Sequence, residues 1–385
     1  MLVYAGMRVE NFDFEIYRGA VTGMLHGNSV YAYVIHMPEY NADMGFIYPP
    51  FASLVMLPLA LLPHSVAKIL MAVTTAVLVM AALAGCFSII DNRREAVGRK
   101  KLSLITWAWV SIPIGFAVPT VSNMQSGQVS FAIAALMLLD VMALPPRWRG
   151  VLVGVTGAIK LTPMILVPYY LVTRQWRAAM NASIAFGLAT VVGAVFRWPD
   201  SMYYWLHPSV INNSLGNPAR PDNWSIYGDL ARVGLSGSTL QICWVIASAL
   251  VLGFAAWRAT KHFRRGQELE ATLVMGISAA LVTPATWPHH LLFGLVACAL
   301  LAVRRPGIGI PALVGLTAVG YMATADSGLW VVALMAAFVI FGMPGNLHPS
   351  SERPRSSSWG HRSRHEPRPD GWAGGSGEGV RGRRG

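Results

Sequence analysis

The sequence predicts an all-α polytopic membrane protein with about nine membrane-crossing helices and one broken-helix hairpin. Three observations carry that expectation. The 385 residues are 54% hydrophobic and only 12% charged, well below the roughly one-quarter charge of an ordinary soluble domain. The apolar residues gather in blocks of about 15 to 25, the length that crosses a ~30 Å hydrocarbon core. Lysine and arginine fall in short clusters between those blocks, as they do where charge sets membrane topology.

The blocks run over 65–90, 102–119, 128–144, 178–196, 236–257, 271–286, 288–303, 307–323 and 328–343. They are apolar all round rather than striped at 3.6 residues, and they lack the alternation that transmembrane strands require. The stretch 150–173 differs. Lys160 and Pro163 interrupt its middle, so it is expected to break there, turn, and return to the side it came from. Charge supports the turn. With 150–173 as a hairpin, fifteen basic residues share one side: Arg93, Arg94, Arg99, Lys100, Lys101, Arg147, Arg149, Arg174, Arg177, Arg258, Lys261, Arg264, Arg265, Arg304 and Arg305. Seven lie opposite: Arg8, Arg18, Lys68, Lys160, Arg197, Arg220 and Arg232. The richer side is cytoplasmic by the positive-inside rule. Residues 1–64 then form an outer-face segment, 65–344 a transmembrane domain with an outer loop at 198–235, and 345–385, rich in Pro, Ser, Gly and Arg, a disordered cytoplasmic tail. The expected location is the plasma membrane, with any site of chemistry facing outside the cytoplasm.

The net charge of +12 follows this topology, so no nucleic-acid partner is expected. Cys86, Cys243 and Cys298 each lie within an apolar block, without metal-ligand or disulfide spacing. Residues 1–11 lack the basic start and apolar run of a cleavable signal.

Topology narrows the candidates for chemistry to the outer side. Asp13 sits between Phe12 and Phe14, where burial raises a carboxyl toward the range of a general base; Arg18 shares its aromatic segment. Tyr48 opens Tyr-Pro-Pro-Phe, which cannot be mid-helix and starts a membrane-surface or re-entrant segment over 45–63. The turn at 120–130 offers the amides Asn123, Gln125 and Gln128, suited to sugar hydroxyls. Lys160 is costly in apolar sequence and needs a partner or a wet cavity; at a hairpin apex beside Thr162 it can meet a phosphate, or simply snorkel. His289 and His290 open a span and can bind phosphate or move a proton; adjacent histidines without nearby carboxylates argue against a metal. Asn213, Arg220 and Asp222 mark an Asn-rich outer loop able to contact an acceptor sugar or headgroup.

Taken in order, Asp13-Phe14 with Ile16-Tyr17, Phe46-Ile47-Tyr48-Pro49-Pro50-Phe51, Ser126-Gly127-Gln128-Val129, Ala158-Ile159-Lys160-Leu161-Thr162-Pro163, Asn212-Asn213-Ser214 and Trp287-Pro288-His289-His290 resemble glycosyltransferase family 87, actinobacterial membrane enzymes of the GT-C class. The resemblance spans roughly residues 11–343. It implies a lipid-linked sugar donor, polyprenyl-phosphate mannose, and α-1,2 mannosyl transfer onto a lipid-anchored glycan acceptor such as a phosphatidylinositol mannoside or lipomannan. It implies no metal or other cofactor. A related branch uses polyprenyl-phosphate arabinose, and a transporter of lipid-linked sugars without chemistry would share the same outline. The family's essential aspartate corresponds to Asp13, and its Trp-Pro-His-His histidine to the His289–His290 pair. Lys160, His289 and His290 are then expected to hold the donor phosphate, with Arg18, Tyr48, Gln128, Asn213 and Arg220 contacting acceptor or sugar. Family members carry a span before the Asp13 segment. Only twelve residues precede Asp13 here, too few to cross a bilayer, so that span is expected to be missing from this chain.

Overall fold

The computed structural model describes residues 11–37, 42–207, 217–322 and 331–337. Within them the chain is mostly helical, with one two-stranded ribbon. Among the described residues, three helices are long and apolar enough to cross a membrane: α4 (His64–Ala96), α10 (Trp176–Phe196) and α13 (Gly237–Arg264). A fourth follows if α5 (Leu104–Phe116) and α6 (Val118–Ser126), bent by 52° at their junction, count as one span. Large aliphatic side chains on these helices, among them Ile69, Val73, Met80, Leu188, Val195, Ile242 and Leu250, are exposed. An apolar surface of that extent suits hydrocarbon rather than water.

The expected nine full spans are therefore not all present as long helices among the described residues. The blocks 128–144, 271–286, 288–303 and 307–323 become α7 (Ser130–Met142), α14 (Glu268–Val282), α15 (Leu292–Arg304) and α16 (Pro306–Met322), of 13, 15, 13 and 17 residues. At 1.5 Å per residue none reaches ~30 Å. Local chemistry shortens them: Gly127, with φ 64°, ends α6 before α7, and the 3-10 turn Pro288–His290 separates α14 from α15. The last block and the tail lie largely outside the described residues.

The hairpin at 150–173 is present. Helix α8 (Val151–Ile159) stops at Lys160, whose backbone is extended (φ −148°, ψ 125°). A 3-10 turn (Thr162–Ile165) leads into α9 (Leu166–Val172). The two arms return to one end: buried Asp140 accepts from Gly150 N and Leu152 N at the start of α8, at 2.6 and 2.8 Å, and from the Tyr170 hydroxyl of α9 at 3.4 Å. Helix α8 packs tightly on α10 through small residues. A Cβ on Gly150 or Gly154 would collide with the backbone of Ala178 or Ala182, the close approach that small residues permit between membrane helices.

The all-α expectation needs one correction within the first 64 residues. Strands β1 (Val34–Met37) and β2 (Ala42–Gly45) pair antiparallel, Val34 opposite Gly45 and His36 opposite Asp43. The His36–Asp43 contact of 2.7 Å joins partners across the ladder, as cross-strand pairs do. The 45–63 segment forms two short helices, α2 (Pro50–Val55) and α3 (Leu57–Leu61), the first with Pro50 at its opening position, where a missing N–H costs nothing.

Candidate active site

Helix α1 (Phe12–Leu25) buries Phe14, Ile16, Tyr17, Ala20, Val21 and Met24, the spacing of a helix with one apolar face. Its first turn is docked by Asn11 N donating to Gln125 O at 2.6 Å. Gly127 backs against Phe14, where a Cβ would lie 2.6 Å from the Phe14 Cβ. That close approach sets Gln128, the next residue, beside Asp13 and Tyr17.

Those residues share a cavity of about 170 Å³. Phe12, Asp13, Ile16 and Tyr17 line it from α1, Met44, Gly45 and Ile47 to Pro49 from the ribbon and the Tyr-Pro-Pro turn, Lys160 to Thr162 from the hairpin apex, Tyr204 from α11 (Trp198–Leu206), and Thr283 to Ala285 with Trp287 and His290 from the turn after α14. A smaller apolar cavity, lined by Ile133, Ala134, Met137, Gly276, Ala280 and Phe293, adjoins it and shares Lys160, Thr162, Thr283 and His290.

Five expected site residues therefore meet: Asp13, Tyr48, Gln128, Lys160 and His290. Lys160 Nζ donates to Ser130 Oγ at 3.0 Å, stands 2.9 Å from His290 Nε2, and lies 5.6 Å from the centre of the Tyr48 ring. The Tyr17 hydroxyl donates to Gln128 Oε1 at 2.8 Å and lies 2.9 Å from the Tyr48 hydroxyl. Burial pushes the Asp13 carboxyl up to about 7, against the opposing pull of the Lys160 charge and a hydrogen bond from the Gln128 amide. Burial brings the Lys160 ammonium, which lies in the break between helices, down to about 8, with Asp13 acting the other way. A carboxyl that ionises near neutral pH is poised as a general base. An ammonium in a desolvated wall is poised to hold an anion.

The remaining expectations separate. His289 is buried behind the wall, its Nδ1 at a long 3.5 Å from Ser122 Oγ and its ring edge-on to His290. Of the pair, only His290 faces the cavity, because a 3-10 turn sends successive side chains in different directions. Arg18 is turned away from it and donates to the carbonyls of Leu59 and Leu62, closing the C-terminal end of α3. Arg220 forms a two-pronged pair with Asp222 at 2.9 and 2.6 Å and does not line the cavity. Asn213 lies outside the described residues. Tyr17, Ser130 and Tyr204 belong to the site and were not singled out as site residues. Tyr17 was findable, since it stands four residues after Asp13 on the same helical face; nothing local marks Ser130.

The 217–225 segment contributes indirectly. Asn223 Nδ2 donates to the carbonyls of Pro218 and Pro284, and its Oδ1 accepts from Thr286 N at 2.9 Å. Ser225 Oγ donates to Pro284 O at 3.0 Å. This segment thus clamps the 283–287 part of the cavity wall. Among the described residues, no group of three or more His, Cys, Asp or Glu side chains is gathered to hold a metal ion.

Comparison with known proteins shows the family of the chain. The profile of glycosyltransferase family 87 matches residues 46–284, a range that includes Tyr48, Gln128 and Lys160 and excludes Asp13 and His290. The chain is 30% identical over 318 residues to a polyprenol-phosphate-mannose-dependent α-(1-2)-phosphatidylinositol mannoside mannosyltransferase of Mycolicibacterium smegmatis, covering 78% of this chain and 72% of that protein. It is 29% identical over 313 residues to the protein of the same description from Mycobacterium tuberculosis, covering 78% and 73%. It is 31% identical over 284 residues to a polyprenol-phosphate-mannose-dependent α-(1-2)-phosphatidylinositol pentamannoside mannosyltransferase of Mycobacterium tuberculosis, covering 72% and 63%. No solved structure matches the chain. With more than half its length matched by one family profile and its relatives covered over most of their length, the chain belongs to glycosyltransferase family 87.

Proposed function

We propose that this glycosyltransferase moves a mannosyl residue from polyprenyl-phosphate mannose to a phosphatidylinositol-mannoside-type acceptor, with inversion and without a metal, on the outer face of the membrane. The observation that carries the reading is the single cavity in which Asp13 faces Lys160 and His290. Asp13 takes the proton of an acceptor hydroxyl. The hydroxyl oxygen forms a bond to the anomeric carbon while the bond from that carbon to the phosphate oxygen breaks, and the electron pair leaves with polyprenyl phosphate. One displacement inverts the centre, so a β-linked donor yields an α product. Lys160 and His290 receive the charge gathering on the phosphate, an interaction strongest in the transition state. Membership of an enzyme family weighs against the transporter alternative, and the printed descriptions of the relatives favour mannose over arabinose.

The GT-C architecture, with about nine crossings and an outward site, is part of this proposal. Helices α4, α14 and α15 support it. They carry Arg93, Glu270 and Arg304 into one cluster at one end, and they have His64 near Glu15, Thr283 and His290 at the other. The basic end is cytoplasmic by the positive-inside rule. Cysteines placed at exposed His26 and Lys101 should then react with an impermeant thiol reagent from opposite sides of sealed membranes; labelling of both from one side would refute the orientation.

The function is tested by transfer of labelled mannose from polyprenyl-phosphate mannose to lipid acceptors, in membranes holding matched amounts of the chain or its Asp13→Asn variant. Loss of a general base predicts a fall of ~10²-fold or more. Near-normal transfer by the variant removes Asp13 as the base. Transfer seen only with the arabinose donor removes the mannose assignment.

A further inference from the structure

We infer that Gln128 is the positioning residue for Asp13, its amide oriented by a one-way chain of hydrogen bonds that starts at Lys160 and passes through Ser130. The inference rests on the reading of Asp13 as the base, and it concerns what keeps that base usable a short distance from a cation.

Gln128 is buried, 3% exposed, and an amide has one accepting and one donating end that differ little in shape. The neighbours decide which end points where. An ammonium only donates, so in the 3.0 Å contact between Lys160 Nζ and Ser130 Oγ the hydroxyl oxygen accepts. Ser130 then has its own proton to give, and gives it to Gln128 Oε1 at 3.3 Å. The Tyr17 hydroxyl donates to the same oxygen at 2.8 Å, and the Tyr48 hydroxyl approaches it at 3.3 Å. With the oxygen turned toward these donors, the Nε2 end is left toward Asp13, which lines the same cavity and whose charged form the amide favours.

This chain has a chemical consequence. A carboxylate and an ammonium in one cavity tend to collapse into an ion pair, which would neutralise the base and occupy the phosphate site. Here Lys160 directs its donors to Ser130 and to the His290 side, while the neutral Gln128 amide favours the charged form of Asp13. The remaining titratable groups facing Asp13 across the cavity are Tyr17, Tyr48, Tyr204 and His290. On the rest of α1, Glu15 is engaged by His64 and Lys68, and Arg18 by backbone carbonyls.

The test is a pH titration of the Asp13 carboxyl band by infrared difference spectroscopy on the full chain in lipid nanodiscs, with the band assigned by its loss in Asp13→Asn. Gln128→Leu removes the donor to the carboxylate, and the protonation midpoint should rise by about one pH unit, a tenfold gain in proton affinity. Ser130→Ala removes one of the donors that hold the amide oxygen, the Tyr17 hydroxyl remaining at 2.8 Å, and should shift the midpoint the same way by less, with Ser130→Thr restoring it. A role confined to packing would lower stability without moving the midpoint. An unchanged midpoint in both Gln128→Leu and Ser130→Ala overturns the inference; if the leucine variant does not fold, Gln128→Met takes its place. The readout needs no turnover. Failure of mannosyl transfer by the unmodified chain therefore sinks the proposed function, while the titration still decides the role of Gln128.

Discussion

Replacing Lys160 by methionine is the sharpest perturbation of the proposed mechanism, because three effects with different signs can be worked from the structure. Methionine keeps the unbranched length of the stem and removes the charge. The first effect is on rate. If Lys160 receives the leaving phosphate, losing one preorganised group at developing charge costs about 2.7–4 kcal/mol, or 10²–10³-fold in kcat. The second is on proton affinity. The Lys160 charge is the larger of the two influences that oppose burial at Asp13, so without it the carboxyl binds its proton more tightly. The acidic limb of the rate profile should then move above the value of about 7 that Asp13 has with Lys160 present. The third is on stability. Removing a desolvated ammonium relieves a penalty of several kcal/mol, whereas Ser130 loses one hydrogen bond worth about 1 kcal/mol. The variant should be at least as resistant to heat as the parent. The assay is labelled-mannose transfer across pH 5.5–9 alongside thermal unfolding in detergent. Activity within tenfold of the parent at pH 8 would refute the phosphate-binding role. A large loss accompanied by lower thermal stability would mean that Lys160 holds the fold instead.

Three further outcomes follow from the same geometry. Because burial raises the Asp13 carboxyl from 3.8 to about 7, its contribution to stability is full below pH 4 and is lost as pH rises through 7; Asp13→Asn should therefore stabilise the protein progressively over that window and level off above it, as read by thermal unfolding at fixed pH steps. Glu270→Gln leaves Arg93, 23% exposed, and Arg304 facing a neutral amide at a buried position, and unfolding should show a loss of up to about 3–5 kcal/mol, reversed in part when Arg93 is also removed. Gly154→Leu places a side chain against the Ala182 carbonyl of α10 and should cost at least 1–3 kcal/mol by overpacking, with proteolysis of the α8–α10 region faster than in the parent.

Much of the architecture was legible because its signals are one-dimensional. Apolar length and charge bias depend on composition along the chain, so α4, α10, α13 and the hairpin break at Lys160 could be read directly. Asp13, Lys160 and His290 could be nominated because each is a polar group in an apolar or aromatic setting that demands a partner. Arg18 and His289 were nominated on the same ground and have other surroundings. The partners of Arg18 are carbonyls of Leu59 and Leu62, backbone groups that carry no mark in the side-chain sequence. His289 and His290 are equivalent by spacing, and only the direction of the turn after α14 distinguishes the one that faces the cavity from the one behind it.

By itself, then, the sequence determined that the chain is helical and suited to a membrane, where its basic ends gather, and which polar residues interrupt apolar stretches. The tertiary structure alone decided which of those residues meet. Asp13, Gln128, Lys160 and His290 come from four separate segments. Their convergence depends on the docking of α1 against Gly127, the return of the hairpin onto Asp140, and the clamp of Asn223 on the 283–287 wall. Each of these is a contact between residues distant in the chain, set by shape and by the pairing of buried polar groups. Nothing in the local pattern of either partner records it.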